Sequence, residues 1–175
     1  LASTRDTAPR HSGFTSASLF LAAGVIGTVQ WATFIADGHA ERDRLGIDEY
    51  EDNPVCASYI RGLWGDSEHQ ALRWTHVGLL TAGESLYLAN AVTGWGMRTK
   101  DRPGLSAQDL HRYAFFTHGT LMLTQAVLGF VTTEVLSRGN HEAMIAVGAA
   151  HSAVGLAIPV VMIASGITVN RMLKR

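Results

Sequence analysis

Cysteine and charge are both scarce in this chain. Its 175 residues include one cysteine, Cys56, and 17% of them are charged. A single thiol excludes an internal disulfide, a Cys-x-x-Cys zinc site and covalent haem attachment through Cys-x-x-Cys-His. The net charge is −1, and no basic stripe is present, so nucleic acid is not an expected partner.

The chain is instead rich in long apolar runs. Four of them follow one another, over residues 14–36, 71–97, 108–136 and 143–169. A helix of about 20 apolar residues crosses the hydrocarbon core of a bilayer. We therefore expect an all-α fold, an integral membrane four-helix bundle over residues 14–175. Residues 1–13 form an N-terminal tail, and the lipid bilayer is the first expected partner.

The segment 37–70 differs in character, because it holds nine acidic residues against three arginines. We expect an acidic outer loop there, with a short helix near residues 54–63. This loop either binds a partner or is only a solvated connector. Most lysines and arginines lie in the two tails and in the turn at residues 98–102. The positive-inside rule then places both termini on the inner side of the membrane.

One histidine, His151, lies deep in the fourth run, among Ala, Val, Ile and Leu. An imidazole inside a membrane helix is costly unless it is paired or bound to a ligand. Gly148 and Gly155 share its helical face, at i−3 and i+4. We interpret these two glycines as clearance for a flat ligand such as a porphyrin.

The depth of each histidine in the membrane selects its partner. His76 lies 22 residues before Arg98, and His151 lies 20 before Arg171, where both spans end on the same side. At about 1.5 Å per residue, the two imidazoles differ by only about 3 Å in depth. His76 also shares a helical face with Gly83, Tyr87, Asn90 and Gly94, and we expect Gly83 and Tyr87 to contact this flat ligand. Two level imidazoles on facing helices predict the axial ligands of one haem b.

A second site is a weaker hypothesis. The third run has a seam consisting of His111, Phe115, His118, Met122, Gln125 and Gly129. His118 lies roughly 15–20 Å from the level of His76, so it cannot serve the same iron. His111 and His118 remain candidate ligands of a second haem near the inner surface. Buried histidines can equally hydrogen-bond a neighbouring helix, and the glycines can equally be helix-contact positions.

Three short elements carry a resemblance to a known family. They are Arg73-Trp-Thr-His76 before a basic turn, then Leu110-His111, then Ala150-His151-Ser152-x-x-Gly155. They are similar to the core of the cytochrome b561 and ferric-reductase-like membrane cytochromes. The resemblance covers roughly residues 73–166. It implies two haems b in a four-helix core that carry electrons across a membrane, with His76 and His151 pairing on one of them.

The sequence also departs from that family. The family's second haem takes a ligand from a further helix, which does not follow the fourth run here, and the first run has no histidine. We therefore expect one haem b, with a second only if a partner subunit completes it. Tyr87 and Glu84 are candidates for tuning the redox potential.

The function that these features favour is single-electron transfer between a quinol, or another small donor, and a partner redox protein. The chain would be a subunit of a larger oxidoreductase rather than a stand-alone enzyme, in a bacterial inner membrane or an organellar energy-transducing membrane. One alternative is a structural or pigment-binding accessory subunit of a respiratory or photosynthetic complex. Another is a small transporter that uses Glu84 and the histidines as a proton path.

Overall fold

The computed structural model describes residues 8–46, 54–95, 106–138 and 141–173. These residues are almost entirely helical, which confirms the all-α prediction. The five helices are α1 (Ala8–Leu45), α2 (Pro54–Gly65), α3 (Ser67–Trp95), α4 (Ala107–Arg138) and α5 (His141–Leu173).

Local chemistry accounts for two of the helix ends. Before α4, the Ser106 hydroxyl accepts a hydrogen bond from the Asp109 backbone N–H at 3.1 Å, and the Asp109 carboxylate accepts one from the Ser106 backbone N–H at 3.0 Å. This reciprocal arrangement is a capping box. After α1, Gly46 has φ of +66°, the left-handed conformation in which glycine commonly ends a helix.

The helices extend beyond the predicted spans, and the predicted loop at 37–70 is largely helical. α1 continues to Leu45, where Arg44 and Glu41 form an ion pair one helical turn apart, a spacing that supports a helix. The short helix expected near residues 54–63 is present as α2. α3 then begins at Ser67, so His69 belongs to a helix and not to a loop.

Three of the described helices are long and apolar enough to cross a membrane. They contain the segments Phe14–Leu45, Asp109–Arg138 and Glu142–Arg171, in α1, α4 and α5. α3 is long enough, since its 29 residues extend about 43 Å at 1.5 Å each, but it contains no segment that is apolar enough by the same measure. His76, Glu84 and Asn90 all lie within it.

The helices pack in the order α3, α1, α5 and α4. α1 lies between α3 and α5, and α5 also packs along α4. α2 lies across one end and contacts α1, α3 and α4. We call this the α2 end of the bundle, and the other the far end. α1 is therefore the helix that joins α3, which carries His76, to α5, which carries His151.

Two apolar clusters lie along the bundle, one toward each end. The α2-end cluster is built on Phe34, Leu136 and Met144. The far-end cluster is built on Phe20, Tyr87 and Ile158.

A polar layer consisting of Gly27, His76, Gln125 and His151 separates the two clusters. Gly27 lies seven residues from Phe20 and from Phe34, and His151 lies seven residues from Met144 and from Ile158. The layer is thus about 10 Å, or two helical turns, from each cluster.

Candidate functional site

The two histidines that the sequence placed at one depth meet in the polar layer. The ring centroids of His76 on α3 and His151 on α5 are 6.0 Å apart, and their planes are inclined by 63°. Each ring is only partly exposed. The bundle therefore brings two imidazoles from different long helices edge to face, with apolar clusters on both sides along its axis.

α1 holds the His76 imidazole from one side. Nδ1 of His76 lies 2.7 Å from the backbone carbonyl oxygen of Ala23, and since that oxygen can only accept, the Nδ1–H donates. Nε2 is then the unprotonated nitrogen of the neutral ring. A Cβ added to Gly27 would lie 2.7 Å from Cε1 of His76. Glycine at position 27 is thus what lets the imidazole lie against α1.

The His151 imidazole is held from α4. Its Nε2 lies 3.1 Å from the side-chain amide nitrogen of Gln125, so the amide N–H donates to the ring. The proton of the neutral ring then belongs to Nδ1. His151 Nδ1 and the Gln125 carbonyl oxygen are both buried without a hydrogen-bond partner among the described residues. Two buried polar atoms without partners mark the layer as a place where a further group can bind.

The glycines predicted to clear a porphyrin instead accommodate protein side chains. A Cβ on Gly148 would lie 2.3 Å from two atoms of the Trp31 indole, and one on Gly155 would lie 2.9 Å from the Gln125 amide nitrogen. The helical face was predicted correctly, but an indole from α1 and an amide from α4 face it. Trp31 could not be assigned from sequence, because periodicity does not say which helix packs there.

Gly83 and Tyr87, which the sequence predicts beside the cofactor, lie outside the polar layer. A Cβ on Gly83 would lie 3.3 Å from the Phe20 ring, and the Gly83 carbonyl accepts a 3.0 Å hydrogen bond from the Ser16 hydroxyl. The Tyr87 hydroxyl donates to the Phe115 carbonyl oxygen at 2.6 Å. Both residues serve helix packing in or beside the far-end cluster.

The two weaker ligand candidates lie apart from the pair. His118 is buried toward the far end, with its ring centroid 6.4 Å from that of Tyr87. Its Nε2 has no hydrogen-bond partner among the described residues. His111 is exposed on α4. The structure thus places these two histidines away from His76 and His151, as their depth in the sequence implies.

A further buried histidine, His69, lies at the α2 end. Its Nε2 lies 3.2 Å from the Asp37 carboxylate, and its ring packs on Phe34 at 4.5 Å between centroids. The Gln30 amide donates to the His69 carbonyl oxygen at 3.3 Å. His69 falls in the segment 37–70, which the sequence predicts to be a loop. Its seven-residue spacing from His76, which puts both on one face of α3, was the available signal.

Comparison with protein-family models, with curated proteins and with solved structures finds no match to this chain. The resemblance to the membrane cytochromes therefore stays a prediction, and the chemistry must be argued from the site.

The His76–His151 pair fits a bis-histidine haem in distance. A haem iron takes its axial nitrogens from opposite faces of the ring. Metal–nitrogen bonds of about 2 Å on both sides place two ligating rings roughly 6 Å apart between centroids, which matches the observed 6.0 Å. Metal-bound histidines usually donate their other N–H to a carbonyl or carboxylate, as His76 does to Ala23. At His151, the Gln125 amide would have to leave Nε2.

Proposed function

We propose that this chain is an integral membrane b-type cytochrome in which His76 and His151 are the axial ligands of one haem b. The observation that carries the proposal is the meeting of two imidazoles at 6.0 Å, from separate long helices, inside a bundle. A buried polar pair of this kind is costly in an apolar core, and ligation of a metal would offset that cost. When bound, haem supplies reversible single-electron transfer.

We further propose that α3 crosses the membrane with α1, α4 and α5, with both termini on the inner side. The contacts between α1 and α3 extend from the Ser16–Gly83 hydrogen bond to the Asp37–His69 contact. Ser16 and Asp37 are 21 residues apart on α1, and Gly83 and His69 are 14 residues apart on α3, so the two helices accompany each other over about 20–30 Å, against about 30 Å for the hydrocarbon core. The polar side chains of α3 that face α1 are then shielded from lipid.

The surface of α4 supports a lipid environment. Phe116, Leu123 and Phe130 are exposed on this helix, Phe130 to 79%. The hydroxyls of exposed Thr117, Thr120 and Thr124 each donate to the carbonyl four residues earlier, so their polarity is satisfied within the helix. A large exposed apolar face without free polar groups is typical of a surface in contact with lipid.

In this function the protein residues position the haem ligands and tune the haem potential. Ala23 and Gly27 fix the plane of the His76 ring, and the hydrogen bond from Nδ1 makes that imidazole a stronger donor. The two apolar clusters keep water from the layer, which is the low-dielectric setting that, with the axial ligands, sets a haem potential. The electron donor proposed is a quinol or another small reductant, and the acceptor is a partner redox protein.

The test is the reduced-minus-oxidised visible spectrum of the purified chain. We expect the sharp α-band of low-spin haem b in the wild type, and its loss in His76→Ala and in His151→Ala, since each removes an axial nitrogen. His118→Ala is the matched control, because it also removes a buried histidine, and it should keep the band. A colourless wild type expressed with ample haem, or a band that survives both substitutions, would refute the proposal.

One observation favours a second candidate, an accessory subunit without haem in a larger membrane complex. The Gln125 amide already satisfies His151 Nε2, and Trp31 and Gln125 already face Gly148 and Gly155. The polar layer then serves only to select how the helices pack against one another. In that case the wild type is colourless, and His151→Ala reduces thermal stability in detergent without any spectroscopic change. A chlorophyll spectrum would instead identify a pigment-binding subunit.

A further inference from the structure

The Asp37–His69 pair is a second ionisable site, separate from the polar layer. It joins α1 to the start of α3 at the α2 end, through the 3.2 Å contact between Nε2 and the carboxylate. The two partners differ in access to water, because the Asp37 side chain is 47% exposed and that of His69 only 8%. Protons can therefore reach the buried imidazole through a carboxylate that is open to solvent.

The pair has capacity for one more proton. A carboxylate accepts, so the neutral His69 ring carries its hydrogen on Nε2, and Nδ1 is left as an acceptor. Nδ1 is buried and has no hydrogen-bond partner among the described residues. An added proton at Nδ1, or at the exposed oxygen of Asp37, changes the charge of the pair from −1 to zero. Such a proton belongs to the coupled pair rather than to either residue.

The charged and titratable groups around the pair come from four helices. On α1, Glu41 is one turn beyond Asp37 and is neutralised by Arg44. On α2, burial raises the pKa of the Tyr59 phenol, and the Glu41 and Asp37 carboxylates add to this rise, so Tyr59 is uncharged near neutral pH.

On α3, Arg73 is four residues beyond His69, and its guanidinium lies over the Trp74 ring. At the end of α4, Glu134 is paired with Arg138. The carboxylates of Glu41 and Glu134 thus each have an arginine partner.

The pair is aligned with the proposed electron site. His69 and His76 are seven residues apart on one face of α3, or about 10 Å along the axis, and both rings rest on α1. Coulomb interactions over 10 Å remain substantial inside a protein, where the effective dielectric constant is well below that of water. A negative charge added at the His76–His151 centre therefore makes protonation of the Asp37–His69 pair more favourable.

We propose that the Asp37–His69 pair binds a proton in step with the electron occupancy of the His76–His151 centre. This inference rests on the proposed haem. When the centre takes one electron from an external one-electron reductant, the pair takes up to one proton from water at the α2 end. The proton leaves again on oxidation, and no other bond forms or breaks. Electron transfer is thus coupled to proton uptake and release at one membrane surface.

The experiment is a redox titration of the haem-loaded full chain at several pH values, followed by its visible spectrum. The wild-type midpoint potential should fall as pH rises, because reduction and proton uptake then occur together. Full coupling gives about 59 mV for each tenfold change in proton concentration. Asp37→Asn and His69→Gln should flatten this dependence. His39→Gln, at the same end of α1, is the control and should retain it.

A second readout keeps the test independent of folding defects in one variant. Reduction of the unbuffered wild type with a pH-indicator dye should show proton uptake, and Asp37→Asn should lose it while keeping the haem spectrum. A haem protein whose potential does not depend on pH, or whose dependence survives both substitutions, overturns this inference alone. Failure to bind haem at all overturns the proposed function, and this inference with it.

Discussion

The polar layer and the far-end cluster are built by the same helices, two turns apart, and each has a buried histidine beside it. In the polar layer His76 faces His151 at 6.0 Å between ring centroids. At the far end His118 faces Tyr87 at 6.4 Å between ring centroids. Burial is therefore not what distinguishes a candidate ligand. The distinguishing feature is a second imidazole at the same level on another helix.

The two regions also use their small residues differently. In the polar layer, Gly27 and Gly148 allow flat polar rings of His76 and Trp31 to approach a helix backbone. Beside the far-end cluster, Gly83 is met by the Phe20 ring, and the stacked rings of Tyr87 and Phe115 lie 4.9 Å apart. Substitutions should accordingly affect haem binding in the first region and only helix packing in the second.

Gly148→Ala should have the largest effect. Its Cβ would lie 2.3 Å from the Trp31 indole, which is rigid and has Gly148 on one side, so the α1–α5 contact must open. Overpacking of this kind costs about 1–3 kcal/mol, and we expect the upper part of that range. Thermal unfolding in detergent measures it. Gly166→Ala on the same helix, where nothing lies within 4 Å, is the control. Equal stability of the two variants would contradict the Trp31 packing.

Gly27→Ala should have a somewhat smaller effect on stability and a specific effect on the haem. The new methyl group would lie 2.7 Å from the His76 ring, which must shift and weaken its hydrogen bond to Ala23. We expect a loss of about 1–2 kcal/mol in unfolding free energy and an altered or weaker haem spectrum. Gly78→Ala on α3 has open space around it and should change neither. If the haem spectrum of Gly27→Ala is unchanged, α1 does not help to form the haem site.

Tyr87→Phe should have the smallest effect, and it tests the far-end cluster. The substitution removes the 2.6 Å hydrogen bond to the Phe115 carbonyl but keeps the aromatic stack. The expected loss is about 0.5–1.5 kcal/mol, the net contribution of one hydrogen bond. The haem spectrum should stay as in the wild type. Tyr113→Phe, at an exposed site on α4, is the control for loss of a hydroxyl. If the haem spectrum of Tyr87→Phe changes, Tyr87 does belong to the haem site.

The sequence by itself determined the helical class and the level of the two central histidines. Apolar runs of spanning length predict helices, since the backbone must satisfy its own hydrogen bonds in lipid. Because the rise per residue is constant, the number of residues between a histidine and the arginine that ends its span gives its depth in the membrane. This calculation placed His76 and His151 at one level and His118 at another. The helical period also correctly assigned Gly148, Gly155 and Gln125 to inward faces.

Only the tertiary structure decided which groups meet those faces. Periodicity orients a residue on its own helix but does not say how neighbouring helices are arranged or rotated. The first run was predicted to be a span without a histidine ligand. It lies between α3 and α5, and it supplies the Ala23 carbonyl, the gap at Gly27 and the Trp31 indole. A backbone carbonyl has no signature in a sequence, and Asp37 and His69 join only because α1 extends past its apolar run.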